Sequence, residues 1–142
     1  MCSSDLDGKQ IEYLGEANHI QKNALMGGAY ATLFPITWRE PFGLVMVESM
    51  ASGTPVIAMR LGSTREVIVN GETGFLCNNV EECINSLDRV ADLNRYACRQ
   101  YVEKNFSVQK MTDGYEVVYQ KLIAEKLAQQ NGYLRNSNTL VS

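Results

Sequence analysis

The sequence predicts an α/β fold, a Rossmann-like parallel sheet with helices on both faces. Short strand-like runs, among them 30–34, 55–59 and 74–77, alternate with stretches in which apolar residues recur every three or four positions. The run from Tyr30 to Phe34 is compactly apolar and stops at Pro35, the pattern of a buried strand. With 142 residues, 45% hydrophobic and 20% charged, the chain is long enough for one domain with a real core.

Residues 1–10 are polar and aperiodic, a loose end; residues 11–127 hold the domain, and 128–142 form a polar tail expected to be disordered. Ile11 to Leu14 reads as a short strand. Asn18 suits the cap of a helix to Ala29, with Ile20, Ala24, Leu25 and Ala29 at helical spacing and Gly27 and Gly28 fraying its end. After the strand at 30–34, a helix starts at Leu44. Its pattern, L-V-M-V-E-S-M-A-S, is apolar nearly all round, as in a helix packed deep in a domain, and Gly53 supplies a left-handed stop. Pro55 to Met59 is the next strand. G-S-T-R-E-V-I-V at 62–69 suggests a short helix with Ser63 or Thr64 as cap and Glu66 in its first turn. Asn70-Gly71 is a turn signal, and Gly74 to Cys77 reads as the last strand. Val80, Cys83, Ile84, Leu87 and Val90 predict one helix from Val80 to Asp92, and another spans Leu93 to Lys104. Ser107 is placed to cap a final helix to about Leu127, with Met111, Tyr115, Val118, Tyr119, Leu122 and Ile123 along one face.

Composition excludes several function classes. A net charge of −3 argues against a nucleic-acid surface. No stretch approaches the ~20 apolar residues of a membrane span, and the start lacks the basic and apolar regions of a leader. Cys2, Cys77, Cys83 and Cys98 form no C-x-x-C pair and have no histidine at zinc spacing, so they read as reduced structural thiols of a cytoplasmic protein. No G-x-G-x-x-G follows a strand and no G-x-x-x-x-G-K-[ST] is present, against a dinucleotide enzyme or a P-loop NTPase. The single histidine, His19, reads as a surface residue, and no G-x-S-x-G elbow supports a hydrolase triad.

The chemistry is concentrated in T-W-R-E-P-F-G-L-V-M-V-E at 37–48. Pro41 holds Glu40 in an extended loop, and Gly43 allows a ligand close to the backbone. In such sheets ligands bind beyond the carboxyl ends of the strands, where this loop leaves strand 30–34. Free N–H groups at the start of the helix, at the positive end of its dipole, form an anion site, most often for phosphate. Glu48, the one charge in the helix, lies roughly 6 Å along its axis from them. A molecule with hydroxyls at both ends and a diphosphate between fits this arrangement: ribose at Glu48, phosphates at the helix start, a sugar at Glu40. A nucleotide sugar is such a molecule. The competing reading pairs Glu48 with a core Arg or Lys and leaves Glu40 solvated, since a buried carboxylate needs a partner in any case.

E-P-F-G-L-V-M-V-E at 40–48, M-A-S-G-T-P-V-I-A at 50–58 and G-S-T-R-E-V-I-V-N-G-E-T-G-F-L at 62–76 closely resemble the Glu-x7-Glu region of retaining glycosyltransferases of the GT-B fold, in particular family 4, the group 1 glycosyl transferases. The resemblance extends more weakly from Tyr13 to about Lys121. It implies that the chain is most of the C-terminal, donor-binding domain of a two-domain enzyme. It further implies that Glu40 contacts donor-sugar hydroxyls as the catalytic-site carboxylate, that Glu48 holds the ribose, and that the backbone of Phe42, Gly43, Leu44 and Val45 cradles sugar and diphosphate. Transfer from a UDP-, GDP- or ADP-sugar to a sugar or lipid acceptor would proceed with retention and without a bound metal or other cofactor.

The family's upstream G-R motif, with the Arg and Lys that hold the diphosphate, has no counterpart here, and Lys9 and Lys22 do not stand at the matching positions. The acceptor-binding N-terminal domain is absent too, so weak donor binding, no turnover by the isolated chain, an open sheet edge and an uncovered apolar face at 111–123 are expected. Peripheral membrane attachment of a full-length protein is left open. Trp38 either borders the sugar or packs. Arg39 and Arg65 serve structural pairing or touch phosphate, and Glu66 is read as a capping residue. A glycosidase using Glu40 and Glu48 as acid and base is a poor second, because Glu48 sits in the buried helix. A non-catalytic nucleotide-sugar-binding module is the alternative function.

Overall fold

The computed structural model describes residues 11–138, with side chains to 129. The chain falls into two compact units, 1–102 and 103–142. The first contains α1 (His19–Gly28), β1 (Thr32–Phe34), α2 (Leu44–Ala51), β2 (Val56–Met59), α3 (Thr64–Val67), β3 (Gly74–Cys77), α4 (Val80–Leu87), a 3-10 turn at Val90–Asp92 and most of α5 (Arg95–Asn105). The second is built on α6 (Val108–Asn138). No helix among the described residues is long and apolar enough to cross a membrane.

The three strands of the described residues form a parallel sheet in the order β1-β2-β3, with Thr32 opposite Val56 and Val56 opposite Gly74. Alternation of side chains across a strand divides the core into two layers. Thr32 and Val56 face α2, where the hydroxyl of buried Ser49 lies 2.7 Å from that of Thr32 and 2.9 Å from the Thr54 carbonyl. Ile57, Phe75 and Cys77 face the other way and pack with Val90, Cys83 and Leu93. Helices thus cover both faces, as expected. Met46 and Met50 of α2 are completely buried, each contributing on the order of 1.5–3 kcal/mol.

Several elements differ from the sequence expectation. Residues 11–14 form no strand: Ile11, Tyr13 and Leu14 are exposed, and no strand among the described residues lies beside them to complete a ladder. The helix expected over 80–92 breaks after Leu87, because the Arg89 N–H turns to the Ser86 carbonyl (3.2 Å) and the Arg89 guanidinium settles over the Phe75 ring, 4.6 Å from its centroid. Gly27 and Gly28 lie within α1. Nor is α2 buried all round; it buries Met46, Ser49 and Met50, while Leu44 at its start is exposed. Its apolar residues outnumber the positions facing the sheet. In the second unit α6 runs past Leu127 to Asn138, into the stretch expected to be disordered. Met111, Tyr115, Val118, Tyr119, Leu122 and Ile123 are exposed, and the Tyr115 and Tyr119 rings stack at 6.1 Å. Residues 1–10 and 139–142, with Cys2 and Lys9, lie outside the described residues.

The outer edge of β3 is blocked. The Gly74 carbonyl accepts from Gly71 N–H (2.8 Å), Leu76 N–H donates to Asn70 Oδ1 (2.8 Å), and the Leu76 carbonyl accepts from Arg60 Nη2 (3.2 Å). At β1, by contrast, Thr32 N–H bonds back to the Pro55 carbonyl, so the alternate residue Leu33 turns its backbone groups away from β2, and its side chain is exposed. Among the described residues β1 is thus an edge strand.

Cys77, Cys83 and Cys98 are free thiols. Burial, then the neighbouring Cys77 and the Glu82 carboxylate, push the Cys83 thiol up to about 11. A thiol whose pKa is higher folded than unfolded favours the folded state fully below the unfolded value, here 9.0, and loses that contribution as pH rises through the folded one. Urea midpoints are therefore expected to fall between about pH 9 and pH 11, and Cys83→Ser to flatten part of the fall. A fall of undiminished size in that variant would assign it to other groups.

Candidate functional site

The loop that carries Glu40 is held at three points. Ser63 N–H donates to the Glu40 carbonyl (2.9 Å), and the Ser63 hydroxyl donates to the Phe42 carbonyl (2.9 Å). Ser63 occupies the N-cap position of α3, as its sequence position suggests, but its side chain caps nothing there: it ties down the neighbouring loop. Gly62 lies against that loop with φ +59°, so close that a Cβ would stand 2.4 Å from the Glu40 carbonyl oxygen. The third point is Trp38, whose indole N–H donates to Glu40 Oε2 (3.1 Å) and fixes the carboxylate's direction. Glu40 is half-buried.

At the start of α2, Gly43 adopts φ 78° and ψ 64°, and no side chain caps the helix. A Cβ at Gly43 would meet Met46 Cε at 2.4 Å and Glu40 Cγ at 3.2 Å. The left-handed turn brings the chain from the Glu40 loop directly into the helix, leaving first-turn N–H groups without a side-chain acceptor. Phe42 and Leu44 are exposed at this rim, and Val45 is half-buried.

Glu48 is less buried than its sequence setting suggests, its side chain keeping 39% of its accessible surface, and it is ion-paired with Lys22 of α1 at 2.5 Å. Its cation therefore comes from a partly exposed helix packed against α2, the reason the competing reading of a core pair is only half met. A pair this accessible is worth no more than about 1 kcal/mol, so ligand hydroxyls can displace it at little cost. A cavity of about 460 Å³ opens beside Glu48, lined also by Asn23, Ser52 and Arg99; Glu40 does not line it.

Arg95 sets the position of α1 and hence of Lys22. Its guanidinium donates to the Ala29 carbonyl (2.8 Å), the Gly27 carbonyl (2.8 Å) and the Thr54 hydroxyl (2.6 Å), and Thr54 in turn donates to the Met26 carbonyl (2.5 Å). A cation at the C-terminal carbonyls of a helix also suits the helix dipole. The capping box of Asn18 and Gln21 closes the other end of α1.

Of the other residues singled out, Arg65 turns to the Arg60 carbonyl (3.4 Å), a structural pairing. Arg39, Glu66 and His19 are exposed. Lys22, Trp38 in its role toward Glu40, Gly62, Ser63 and Arg95 carry the site and were not assigned these parts from the sequence. The one usable signal was the glycine-serine pair at 62–63, which could have been read as a point of close backbone approach.

The family model described as "Glycosyl transferases group 1" matches residues 4–105. The chain is 29% identical over 124 residues to N-acetyl-alpha-D-glucosaminyl L-malate synthase of Bacillus anthracis, covering 82% of this chain and 32% of that protein. It is 41% identical over 68 residues to phosphatidyl-myo-inositol mannosyltransferase of Mycobacterium leprae, covering 48% and 18%. A crystal structure of Anabaena Alr3699/HepE in complex with UDP is 28% identical, with a TM-score of 0.49 over 74% of this chain and 29% of that one. The chain thus spans about a third or less of these relatives. The family match takes in the Glu40 loop, the uncapped start of α2, Glu48 and the Gly62-Ser63 brace together, and on it the chain belongs to the group 1 glycosyl transferases.

Proposed function

We propose that the chain is the donor-binding part of a family 4, retaining, metal-independent glycosyltransferase that moves a sugar from a nucleotide sugar to an acceptor hydroxyl. The observation that carries this reading is the uncapped, glycine-initiated start of α2 with a braced carboxylate on the loop before it and a displaceable one a turn inside. The first-turn N–H groups hold the diphosphate, and the dipole adds about 0.3–1 kcal/mol. Glu48 exchanges its bond to Lys22 for bonds from ribose hydroxyls. Glu40, aimed by Trp38, accepts from hydroxyls of the transferred sugar. The backbone from Phe42 to Val45 lies between them. As the sugar–phosphate bond breaks, negative charge grows on the diphosphate, where fixed donors stabilise it without reorganising.

The relatives' names specify a glucosaminyl and a mannosyl transfer, so a shared donor-binding part is compatible with different sugars. The acceptor in this reading is a sugar or a lipid. The helix start holds the phosphates with a modest contribution, so weak donor binding belongs to this reading.

Calorimetric titration with UDP, GDP and ADP and their sugar conjugates tests this. One nucleotide series is expected to bind, and Glu48→Ala to weaken it by about ten-fold or more, the cost of losing hydrogen bonds to a charged group. Lys22→Ala frees Glu48 from its competitor and should change the affinity several-fold at most. Binding that Glu48→Ala leaves intact would remove the ribose assignment.

A further inference from the structure

The blocked edge of β3 borders a second cavity, of about 360 Å³, that shares no lining residue with the one beside Glu48. It is unusually rich in donors. Arg60 and Arg89 line it, with Asn70, Asn78, Asn85 and Ser86.

The donors are only partly used. Arg60 gives Nη2 to the Leu76 carbonyl, but its Nε–H, buried from solvent, has no partner. An arginine that only sealed the strand edge would leave this buried donor at a cost of about 1–3 kcal/mol. Asn70 spends its oxygen on Leu76 N–H, so its amide NH₂ is left to donate. The Arg89 guanidinium carbon sits 4.6 Å from the Phe75 ring centroid, a contact that uses none of its five N–H donors. Ser86 is not available, since its hydroxyl donates to the Glu82 carbonyl (2.7 Å).

One carboxylate lines the cavity, that of Glu82. It is occupied by Asn78, whose backbone N–H (2.8 Å) and side-chain NH₂ (2.9 Å) both donate to Oε2, and by the Asn79 side chain on Oε1 (3.4 Å). The lining therefore sets two guanidinium ions and further amide donors against one carboxylate whose oxygens are already hydrogen-bonded, which leaves the cavity net positive. Planar donor forks of this kind match the oxygens of a phosphate.

From this we infer a second binding site, between Arg60, Arg89, Asn70 and Asn85, for a compact phosphomonoester. The volume is several times that of a phosphate group and accommodates a phosphorylated polyol or monosaccharide, with the phosphate between the two arginines and the hydroxyls toward the asparagine amides.

The test is titration of the isotope-labelled chain with glycerol 3-phosphate, with inorganic phosphate and glycerol as comparisons, read by NMR. Glycerol 3-phosphate is expected to shift the Arg60 Nε–H and the Asn70 and Asn85 side-chain amides with a saturable, salt-sensitive curve. Phosphate should shift the arginine signal more weakly, and glycerol should shift nothing. Arg89→Gln should weaken binding about ten-fold or more, since it removes a charged donor. Asn85→Asp, on the exposed surface of α4, adds a carboxylate at the cavity and should abolish binding in a chain whose amide spectrum is otherwise that of the parent; it keeps the test decisive if Arg89→Gln fails to fold. Absence of saturable shifts at these groups, or shifts that survive Asn85→Asp, would overturn the assignment. Nucleotide binding at Glu48 is scored separately, by its own loss in Glu48→Ala.

Discussion

On the proposed donor-binding reading, Gly62→Ala is expected to weaken nucleotide-sugar binding by about ten-fold or more while the sheet stays folded. The added Cβ would stand 2.4 Å from the Glu40 carbonyl oxygen and 2.6 Å from the Glu40 nitrogen, both backbone atoms that no rotamer change can clear. The φ of +59° adds strain of roughly 1–2 kcal/mol for a residue with a side chain. The loop must retreat, and with it go the Ser63 bond to the Glu40 carbonyl and the alignment of the carboxylate. Losing the hydrogen bonds of a charged group costs about ten-fold or more in affinity. Gly71→Ala is the matched control: its φ is +82°, but nothing lies within 4 Å of the added carbon. It should lose a similar increment of stability and none of the binding. Titration of both variants, with circular dichroism to establish folding, separates strain from displacement. Parent-like affinity in a folded Gly62→Ala chain would mean that the Glu40 loop takes no part in holding the donor.

Gly74→Ala is expected to have the largest effect on folding. Here the Cβ would fall 2.0 Å from the carbonyl oxygen of Val56, 2.9 Å from its carbon and 3.0 Å from its nitrogen. Val56 belongs to the central strand, is completely buried, and is paired with β1 on one side and β3 on the other. It cannot yield without opening both ladders. A loss above about 4–5 kcal/mol is expected, which consumes most of the ~5–15 kcal/mol of a typical domain. Far-UV circular dichroism and urea unfolding would register a chain largely unfolded at 25 °C. A cooperative transition near the parent midpoint would show that β2 and β3 are not in the register described.

The two glycines divide the roles of one residue type. Gly74 lets two strands approach, and Gly62 lets a loop approach a helix start. In the sequence they look alike, each embedded in the matched segment 62–76. Only the identity of the backbone atoms opposite them separates a fold position from a site position.

What the sequence by itself determined is local. The strand runs, the Asn18 cap, the start of α2 after Gly43, the left-handed stop at Gly53 and the turn at Asn70-Gly71 all follow from side-chain periodicity and from backbone preferences of single residues. That Glu40 stands on a loop and Glu48 inside α2 was legible for the same reason, because spacing about a helix start is a local quantity. The tertiary structure alone decided what those groups touch. Lys22 meets Glu48 across 26 residues, Ser63 meets Phe42 across 21, and Arg95 reaches the end of α1 across 66 and more. It also decided where periodicity gave way: α4 stops at Leu87 although the apolar spacing continues to Val90, because Arg89 gains the Phe75 ring, and residues 11–14 form no strand, because a strand is stable only beside another. Periodicity records which face of an element is apolar; it holds no information about which distant backbone atom or charge will stand opposite, and that is where the site is made.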